Sequence, residues 1–401
     1  MINPFKEALP IINKIEESGY EAYFVGGAVR DHLLNKQIHD IDIASSATPE
    51  EIKSIFPHTI DVGIAHGTVM VIWDQHTYEI TTFRTESTYR DYRRPEQVYF
   101  VRELKEDLKR RDFTINAMAM DKNGHVIDYF NGKESLEKKE IKTVGNPNER
   151  FQEDALRIMR GIRFVSTLGF HLETETLNGI RNNRQLLSKI AVERITAEFE
   201  KLLHGPWCLE ALEIMVETKM YQILPMLSSE EKGISKFAKL PLTKLELLEK
   251  WAVLLLCLGR KEKHQIELFL RAWKLSVKQI KTIQKLIYWM LQREQMTNWS
   301  NQALYFATLS VAVSVEKMYQ LLKNNEVNID IVHLEERYEK LPIKSMEELK
   351  IGGNDLLSWT EKKPGPWIKD VLSLVERNVV EEKLSNDKQL IKEWLKQCHQ
   401  I

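Results

Sequence analysis

The sequence predicts an α+β chain, with one small mixed sheet near the N-terminus and helices in the remainder. Three observations carry that expectation. Short alternating runs rich in β-formers recur between Tyr23 and Asp128 and then stop. Gly145-Asn146-Pro147 interrupts the chain. From Leu177 onward apolar residues recur at helical spacing, with breaks at Gly205-Pro206, Gly352-Gly353 and Pro364-Gly365-Pro366. A chain of 401 residues exceeds one compact core. We divide it into a head over 1–145, a helical neck over 146–210, a basic helical body over 211–300 and a helical tail over 301–401.

Composition is that of an ordinary soluble globular protein. The net charge of −1 argues, as an average, against a nucleic-acid partner. Its distribution argues the other way: residues 232–293 hold fourteen Lys/Arg against four Asp/Glu. Cys208, Cys257 and Cys398 are odd in number and far apart, which points to a reducing compartment without a disulfide framework or zinc site. The N-terminal stretch MINPFKEALPIINKIEESGY is charged, amphipathic and free of a cleavable signal pattern. The most apolar run, Trp251 to Leu258, is far shorter than the roughly 20 residues that span a bilayer. Together these predict a cytoplasmic protein with no membrane partner.

Residues 4–18 form the first expected helix, with Phe5, Leu9, Ile12 and Ile15 on one side and Gly19 closing it. Tyr23 to Val25 read as a strand. Gly26-Gly27 then turns the chain into a short helix, whose backbone N–H groups and positive end suit a phosphate. Arg30, one turn in, adds a guanidinium clamp. A second strand is expected over Asp40-Ile41-Asp42-Ile43, where residues two apart share a face. Asp40 and Asp42 then project together and repel unless a cation lies between them. Mg²⁺ commonly binds one or two carboxylates plus substrate phosphates. Thr48-Pro49 starts a helix. His58 to Ile64 is a strand, and Thr68–Trp73 with Thr77–Phe83 make a hairpin around Asp74-Gln75. Glu79 falls on the face opposite Tyr78 and Ile80, beside the acidic strand. It is a candidate third acid, with a solvated strand glutamate as the alternative.

Residues 84–102, RTESTYRDYRRPEQVYFVR, carry Arg, Tyr and Asp with little apolar periodicity, and read as a mobile loop. DLKRRDFTINAMAM follows from Asp107. Its guanidiniums suit phosphate oxygens, with Arg111 the candidate contact. Asp112 and Asn116 share a face if the segment is helical, and would hold a ribose hydroxyl. Residues 150–165, RFQEDALRIMRGIRFV, read as one helix, with Asp154, Arg157 and Arg160 along a ridge and Arg163 rotated away. An i,i+3 ion pair alone would be worth only about 0.3–0.5 kcal/mol and decides nothing.

Three strings, GGAVRDHLLNKQIHDIDIA, RRDFTINAMA and EDALRIMRGIRF, occur in this order within the first 165 residues. Together they resemble the nucleotidyltransferase superfamily, in the branch of class II CCA-adding tRNA nucleotidyltransferases and bacterial poly(A) polymerases. The resemblance implies a nucleotidyltransferase-type head followed by an extended all-α neck, body and tail. It implies that Asp40 and Asp42 hold Mg²⁺ and, with Glu79, form the catalytic set. Gly27, Arg30 and Arg111 would cradle phosphates, with Asp112 and Asn116 on the sugar. Asp154 and Arg157 would read the base, and Arg160 and Arg163 would help hold the nucleotide. Loop 84–102 resembles the flexible loop of members that add A. A homodimer is expected from relatives alone.

The implied chemistry is coherent. Cytosine and adenine both present an exocyclic amine beside an unprotonated ring nitrogen. A carboxylate accepts from the amine and a guanidinium donates to the nitrogen. Guanine and uracil reverse that pattern, and each buried unpaired group costs about 1–3 kcal/mol. One Asp–Arg pair can therefore accept CTP and ATP and refuse GTP and UTP. The implied partners are CTP, ATP and the 3′ acceptor end of tRNA. In the helical half, Lys274, Lys278, Lys281 and Lys285 form an expected basic ridge, with Leu275, Ile283, Leu286 and Ile287 beneath it. Such a stripe suits RNA phosphates. An A-adding-only enzyme, a poly(A) polymerase and a non-catalytic tRNA-binding protein remain alternatives.

Overall fold

The structure, a computed structural model, describes residues 3–400 except His39 and residues 87–88, 91–93, 96, 325 and 328–330. The chain divides into two compact units, residues 1–239 with 272–274, and residues 240–271 with 275–401.

The first unit opens with helix α1 (Asn3–Glu17), which buries Phe5, Ile11, Ile12 and Ile15. Strand β1 (Ala22–Val25), helix α2 (Gly27–Leu33) and strand β2 (Asp42–Ser45) follow. Asp40 precedes β2 instead of belonging to it, so the expected four-residue Asp-Ile-Asp-Ile strand starts two residues late. Ile43 is fully buried, but Ile41 is only half-buried and faces a cavity with the two aspartates. Helix α3 (Pro49–Ile55) starts as expected. Thr48 accepts from Glu51 N, Glu51 accepts from Thr48 N, and Pro49 occupies the first turn.

Strands β3 (Thr59–Gly63), β4 (Thr68–Trp73) and β5 (His76–Thr82) complete this part. Asp74 and Gln75 both have positive φ, 47° and 65°, the pattern of a two-residue hairpin turn whose twist suits the flanking strands. Beyond it, β6 (Arg84–Glu86) pairs antiparallel with β7 (Val98–Phe100). These pairs form the roots of the expected loop at 84–102, of which residues 87–88, 91–93 and 96 lie outside the described residues. Helix α4 (Leu104–Lys109), strands β8 (Met118–Met120) and β9 (Val126–Asp128) and helix α5 (Gly132–Glu137) follow. The sheet order is β9-β8-β1-β2-β5-β4-β3. Among the described residues its one parallel pair is β2 with β5, whose register sets Asp42 directly beside Glu79. The α+β reading therefore holds.

The helix expected over 150–165 is two helices, α6 (Pro147–Glu153) and α7 (Leu156–Leu168). Asp154 lies between them in extended backbone, φ −134° and ψ 103°. The short polar side chain allows this because it bonds the backbone locally: Oδ1 accepts from Leu156 N at 3.0 Å. Helices α8 (Thr174–Asn183), α9 (Val192–His204), α10 (Cys208–Glu217) and α11 (Glu231–Phe237) follow.

The second unit is helical. In α12 (Leu247–Cys257), Trp251 to Leu255 are fully buried, as the apolar run predicts. Helix α13 (Lys263–Ala272) crosses the unit boundary, and α14 (Val277–Arg293) carries Lys278, Lys281 and Lys285 on its exposed side. Leu275, Ile283, Leu286 and Ile287 are buried. Lys274 is not on that ridge; it precedes the helix with φ 61°. Among the described residues no helix is long and apolar enough to cross a membrane.

Arg102, at the far root of the 84–102 segment, donates to both Glu51 carboxylate oxygens at 3.0 Å. Chiefly through those bonds, the Glu51 carboxyl is pulled down to about 2 from its ordinary 4.5, while burial opposes the shift. A depressed pKa means stability that is present above pH 4.5 and lost as pH falls toward 2. Glu51→Gln should therefore lower stability at pH 7 by about 1 kcal/mol or less. The difference from the parent should shrink steadily between pH 4.5 and 2 in denaturant titrations; a pH-independent difference refutes the assignment.

Candidate active site

Ten of the twelve residues singled out from the sequence line one cavity of about 430 Å³: Gly27, Arg30, Asp42, Arg111, Asp112, Asn116, Asp154, Arg157, Arg160 and Arg163. Gly26, Arg110 and Phe164 complete its lining. The other two, Asp40 and Glu79, line an adjoining cavity of about 370 Å³ with Glu7, Met70, His76 and Tyr78. Asp42 belongs to both.

The Gly-Gly turn is tighter than its sequence announces. Gly26 has φ 70° and ψ −133°, backbone open essentially to glycine alone. A Cβ there would also lie 3.1 Å from Arg111 Nη1 and 3.7 Å from Asp42 Oδ2. Gly27, the residue expected to matter, has ordinary φ, and a Cβ on it would meet only Arg30 Nη2 at 3.6 Å. The stringent position is therefore Gly26, which lets the strand end pass between the Asp42 carboxylate and the Arg111 guanidinium.

Most of the guanidiniums are held by carboxylates that the sequence reading did not assign to the site. Asp107, with no exposed side-chain surface, accepts from Arg110 at 2.7 Å and from Arg111 at 3.1 Å. Burial opposes ionisation of Asp107, but the two arginines outweigh it and hold the carboxyl below its usual range. The partner of Arg111 is thus Asp107, four residues before it, and not the adjacent Asp112. Asp112 itself is buried and accepts from Arg160 Nε at 2.8 Å and Asn116 Nδ2 at 3.1 Å. Again burial pushes up, and Arg160 and Asn116 together push its carboxyl well below the usual range. Asp112 and Asn116 meet without an α-helix: Thr114–Asn116 is a single tight 3₁₀ turn. Arg30 donates to Asn116 Oδ1 at 2.7 Å and to both oxygens of Asp31 at 2.9 Å.

Asp154 and Arg157 both face the cavity but do not form the expected pair on one helix ridge, because the helix breaks at Asp154. Asp154 Oδ2 accepts from Arg194 of α9 at 3.2 Å. Arg157 donates to Glu153 Oε2 at 2.7 Å and to the Arg110 carbonyl at 2.8 Å. Arg163 reaches the cavity despite its rotation, with Nε 2.6 Å from Glu198 of α9. The local signals for Asp107 and Glu153 were present as i,i+3 and i,i+4 spacings. Arg194 and Glu198 lie far along the chain and had none.

Asp42 keeps an accessible face, yet the protein packed around it strips enough water to push its carboxyl up. Arg111 opposes the shift and the neighbouring Asp40 carboxylate adds to it. Two neighbouring hard oxygen donors, Asp40 and Asp42, fit a divalent cation. Among the described residues no group of three His, Cys, Asp or Glu side chains is arranged to hold a metal ion, and Glu79 stands beside Asp42 in the strand register.

Full-length similarity accompanies this geometry. The chain is 48% identical to a CCA-adding enzyme of Bacillus cytotoxicus over 396 residues, 98% of this chain and 99% of the relative. The chain belongs to the CCA-adding enzyme family. Residues 22–142 match the sequence model of the Poly A polymerase head domain, and residues 246–395 match that of tRNA nucleotidyltransferase domain 2. The crystal structure of a Bacillus stearothermophilus CCA-adding enzyme in complex with CTP superposes with a TM-score of 0.91 at 43% identity, covering 100% of this chain and 98% of that one. A tRNA nucleotidyltransferase complexed with a primer tRNA and an incoming ATP analog gives 0.62 at 25% identity, covering 82% of this chain and 98% of that one.

The contrast between the two glycines yields a test. Gly26→Ala should reduce kcat/KM for nucleotide incorporation by at least about 100-fold, whereas Gly27→Ala should cost less than about tenfold. Steady-state assays of both variants, with melting curves to exclude unfolding, decide it; equal losses would reject Gly26 as the stringent position.

Proposed function

We propose that this family member extends the 3′ end of tRNA by C, C and A without a nucleic-acid template, using CTP and ATP. The observation that carries the reading is the pair of cavities joined at Asp42. The cationic cavity suits a nucleoside triphosphate; the acidic one adjoins it where an attacking hydroxyl would enter. In each cycle the tRNA 3′-oxygen forms a bond to the α-phosphorus, the bond to the β-phosphate oxygen breaks, and pyrophosphate leaves. Arg30 and Arg111 bind the phosphates and orient the leaving group in line with the attack. Gly26 and Gly27 let the backbone approach them. Asp112 and Asn116 accept from and donate to the ribose hydroxyls. Asp154 accepts from the exocyclic amine of cytosine or adenine, and Arg157 donates to the adjacent ring nitrogen. A divalent ion such as Mg²⁺, held by Asp40 and Asp42, would lower the pKa of the attacking hydroxyl and stabilise charge on the leaving oxygen.

Purified protein incubated with Mg²⁺, labelled CTP and ATP, and tRNA ending at the discriminator base should add C, C and A in steps. Addition of A alone supports an A-adding enzyme, and long A tails on unrelated RNA support a poly(A) polymerase. Asp42→Ala should abolish every transfer. Asp154→Ala should relax nucleotide choice or abolish uptake; retention of full CTP and ATP selectivity would remove Asp154 from the base site.

The exposed Lys278, Lys281 and Lys285 of α14 support a role in RNA binding. Replacing all three with Glu should raise the tRNA KM at least tenfold and flatten its salt dependence by about three phosphate contacts, with CTP affinity unchanged. Filter binding at several ionic strengths tests this; an unaltered salt slope excludes the ridge.

A further inference from the structure

We propose that Phe164 is a positioning residue whose ring pools three guanidinium groups at the wall of the cationic cavity, so that their charge acts on a nucleotide's phosphates whatever its base. The proposal rests on reading that cavity as the nucleotide site. Phe164 lies on α7, is 3% exposed, and lines the cavity. The guanidinium carbons of Arg163, Arg30 and Arg160 stand 3.9, 5.3 and 5.6 Å from its ring centroid. Cations within about 6 Å of an aromatic centroid are drawn to its negative faces. The ring is itself fixed: buried Phe113 packs edge-on against it at 5.7 Å and 84°.

The arrangement answers a specific electrostatic problem. Three like charges gathered around one point repel, and a low-dielectric wall makes the repulsion worse. Carboxylates are one remedy, and each arginine has one: Asp31 for Arg30, Asp112 for Arg160 and Glu198 for Arg163. Every added carboxylate, however, cancels a positive charge that would attract a phosphate. An aromatic quadrupole attracts cations while carrying no net charge. It gathers the guanidiniums without adding a further negative charge to the cavity. Because the effect acts on phosphate charge and not on base edges, it predicts equal losses for CTP and ATP. That separates Phe164 from Asp154 and Arg157, whose contacts distinguish bases.

The test measures dissociation constants of the full chain for CTP, ATP and inorganic tripolyphosphate by calorimetry. Phe164→Leu should weaken all three by about tenfold. Phe164→Tyr should stay within about twofold of the parent. Site-specific replacement of Phe164 by 3,4,5-trifluorophenylalanine keeps the shape and withdraws charge from the ring face; it should weaken binding nearly as much as Leu, with the parental melting temperature. Parental affinity in that fluorinated variant overturns the proposal, since packing alone would then suffice. So does a loss confined to one of the two nucleotides. Arg111→Ala is the control on the underlying reading. If it leaves CTP affinity unchanged, the cavity is not the nucleotide site; if it weakens CTP while the fluorinated variant does not, only the role of Phe164 fails.

Discussion

A cavity able to hold a triphosphate must first be stable without one. Six guanidiniums, from Arg30, Arg110, Arg111, Arg157, Arg160 and Arg163, line a single space of about 430 Å³. Unit charges 4 Å apart interact by about 4 kcal/mol at an effective dielectric of 20, so the set would splay apart if unsupported. Each arginine is instead backed by an acid: Asp31, Asp107 for two of them, Glu153, Asp112 and Glu198. Of these, Asp107, Asp112 and Glu198 are almost wholly buried, where an unpaired carboxylate would be costly. Arginine and acid thus need each other in the empty protein, and the guanidiniums stand ready before a ligand arrives. Dipoles and charges fixed in advance need no reorganisation when charge develops during reaction.

The fold exists, at this end, to bring those pairs together. The parallel pairing of β2 with β5 in an otherwise antiparallel sheet aligns Asp42 with Glu79. The antiparallel pairing of β1 with β2 places Val25 opposite Asp42, so the Gly26 turn starts beside the same carboxylate. The segment after α4 delivers Arg110 to Asn116, and α7 delivers Arg157 to Phe164. Helix α9 closes the back with Arg194 and Glu198. None of these elements supplies more than a few of the lining residues, which is why the strings in the sequence lie so far apart.

What could be read from sequence was the part written in short-range pattern. Burial alternates along β5 as the Tyr78–Glu79–Ile80 pattern requires, and the Thr48-Pro49-Glu51 helix start is present bond for bond. Asp112 and Asn116 were linked by spacing, but the spacing does not reveal that a 3₁₀ turn rather than an α-helix joins them. The break at Asp154 was hidden because helical periodicity continues across it; only the local competition of an aspartate side chain for Leu156 N opens the chain there. Gly26 and Gly27 are identical in sequence, and only the positive φ and the approach of Arg111 tell them apart. Arg194 lies 40 positions beyond Asp154 and Glu198 lies 35 beyond Arg163, out of reach of any periodicity.

The two cavities that share Asp42 differ in charge, and the difference constrains how an acceptor and a nucleotide can be handled. The cationic side offers guanidinium donors, which suit phosphate oxygens, within the cavity itself. The other side presents Glu7, Asp40, Asp42 and Glu79, which repel a phosphodiester backbone. An RNA end placed there gains little from its immediate surroundings beyond what a divalent cation contributes. Its binding energy must come from contacts other than those four carboxylates. A polymer held mainly at a distance can move its terminus by one nucleotide without giving up the contacts that hold it. A triphosphate held locally must be replaced after every step. Affinity local to the cationic cavity for a nucleotide, and outside the acidic cavity for an acceptor, would suit a few successive additions at one fixed carboxylate.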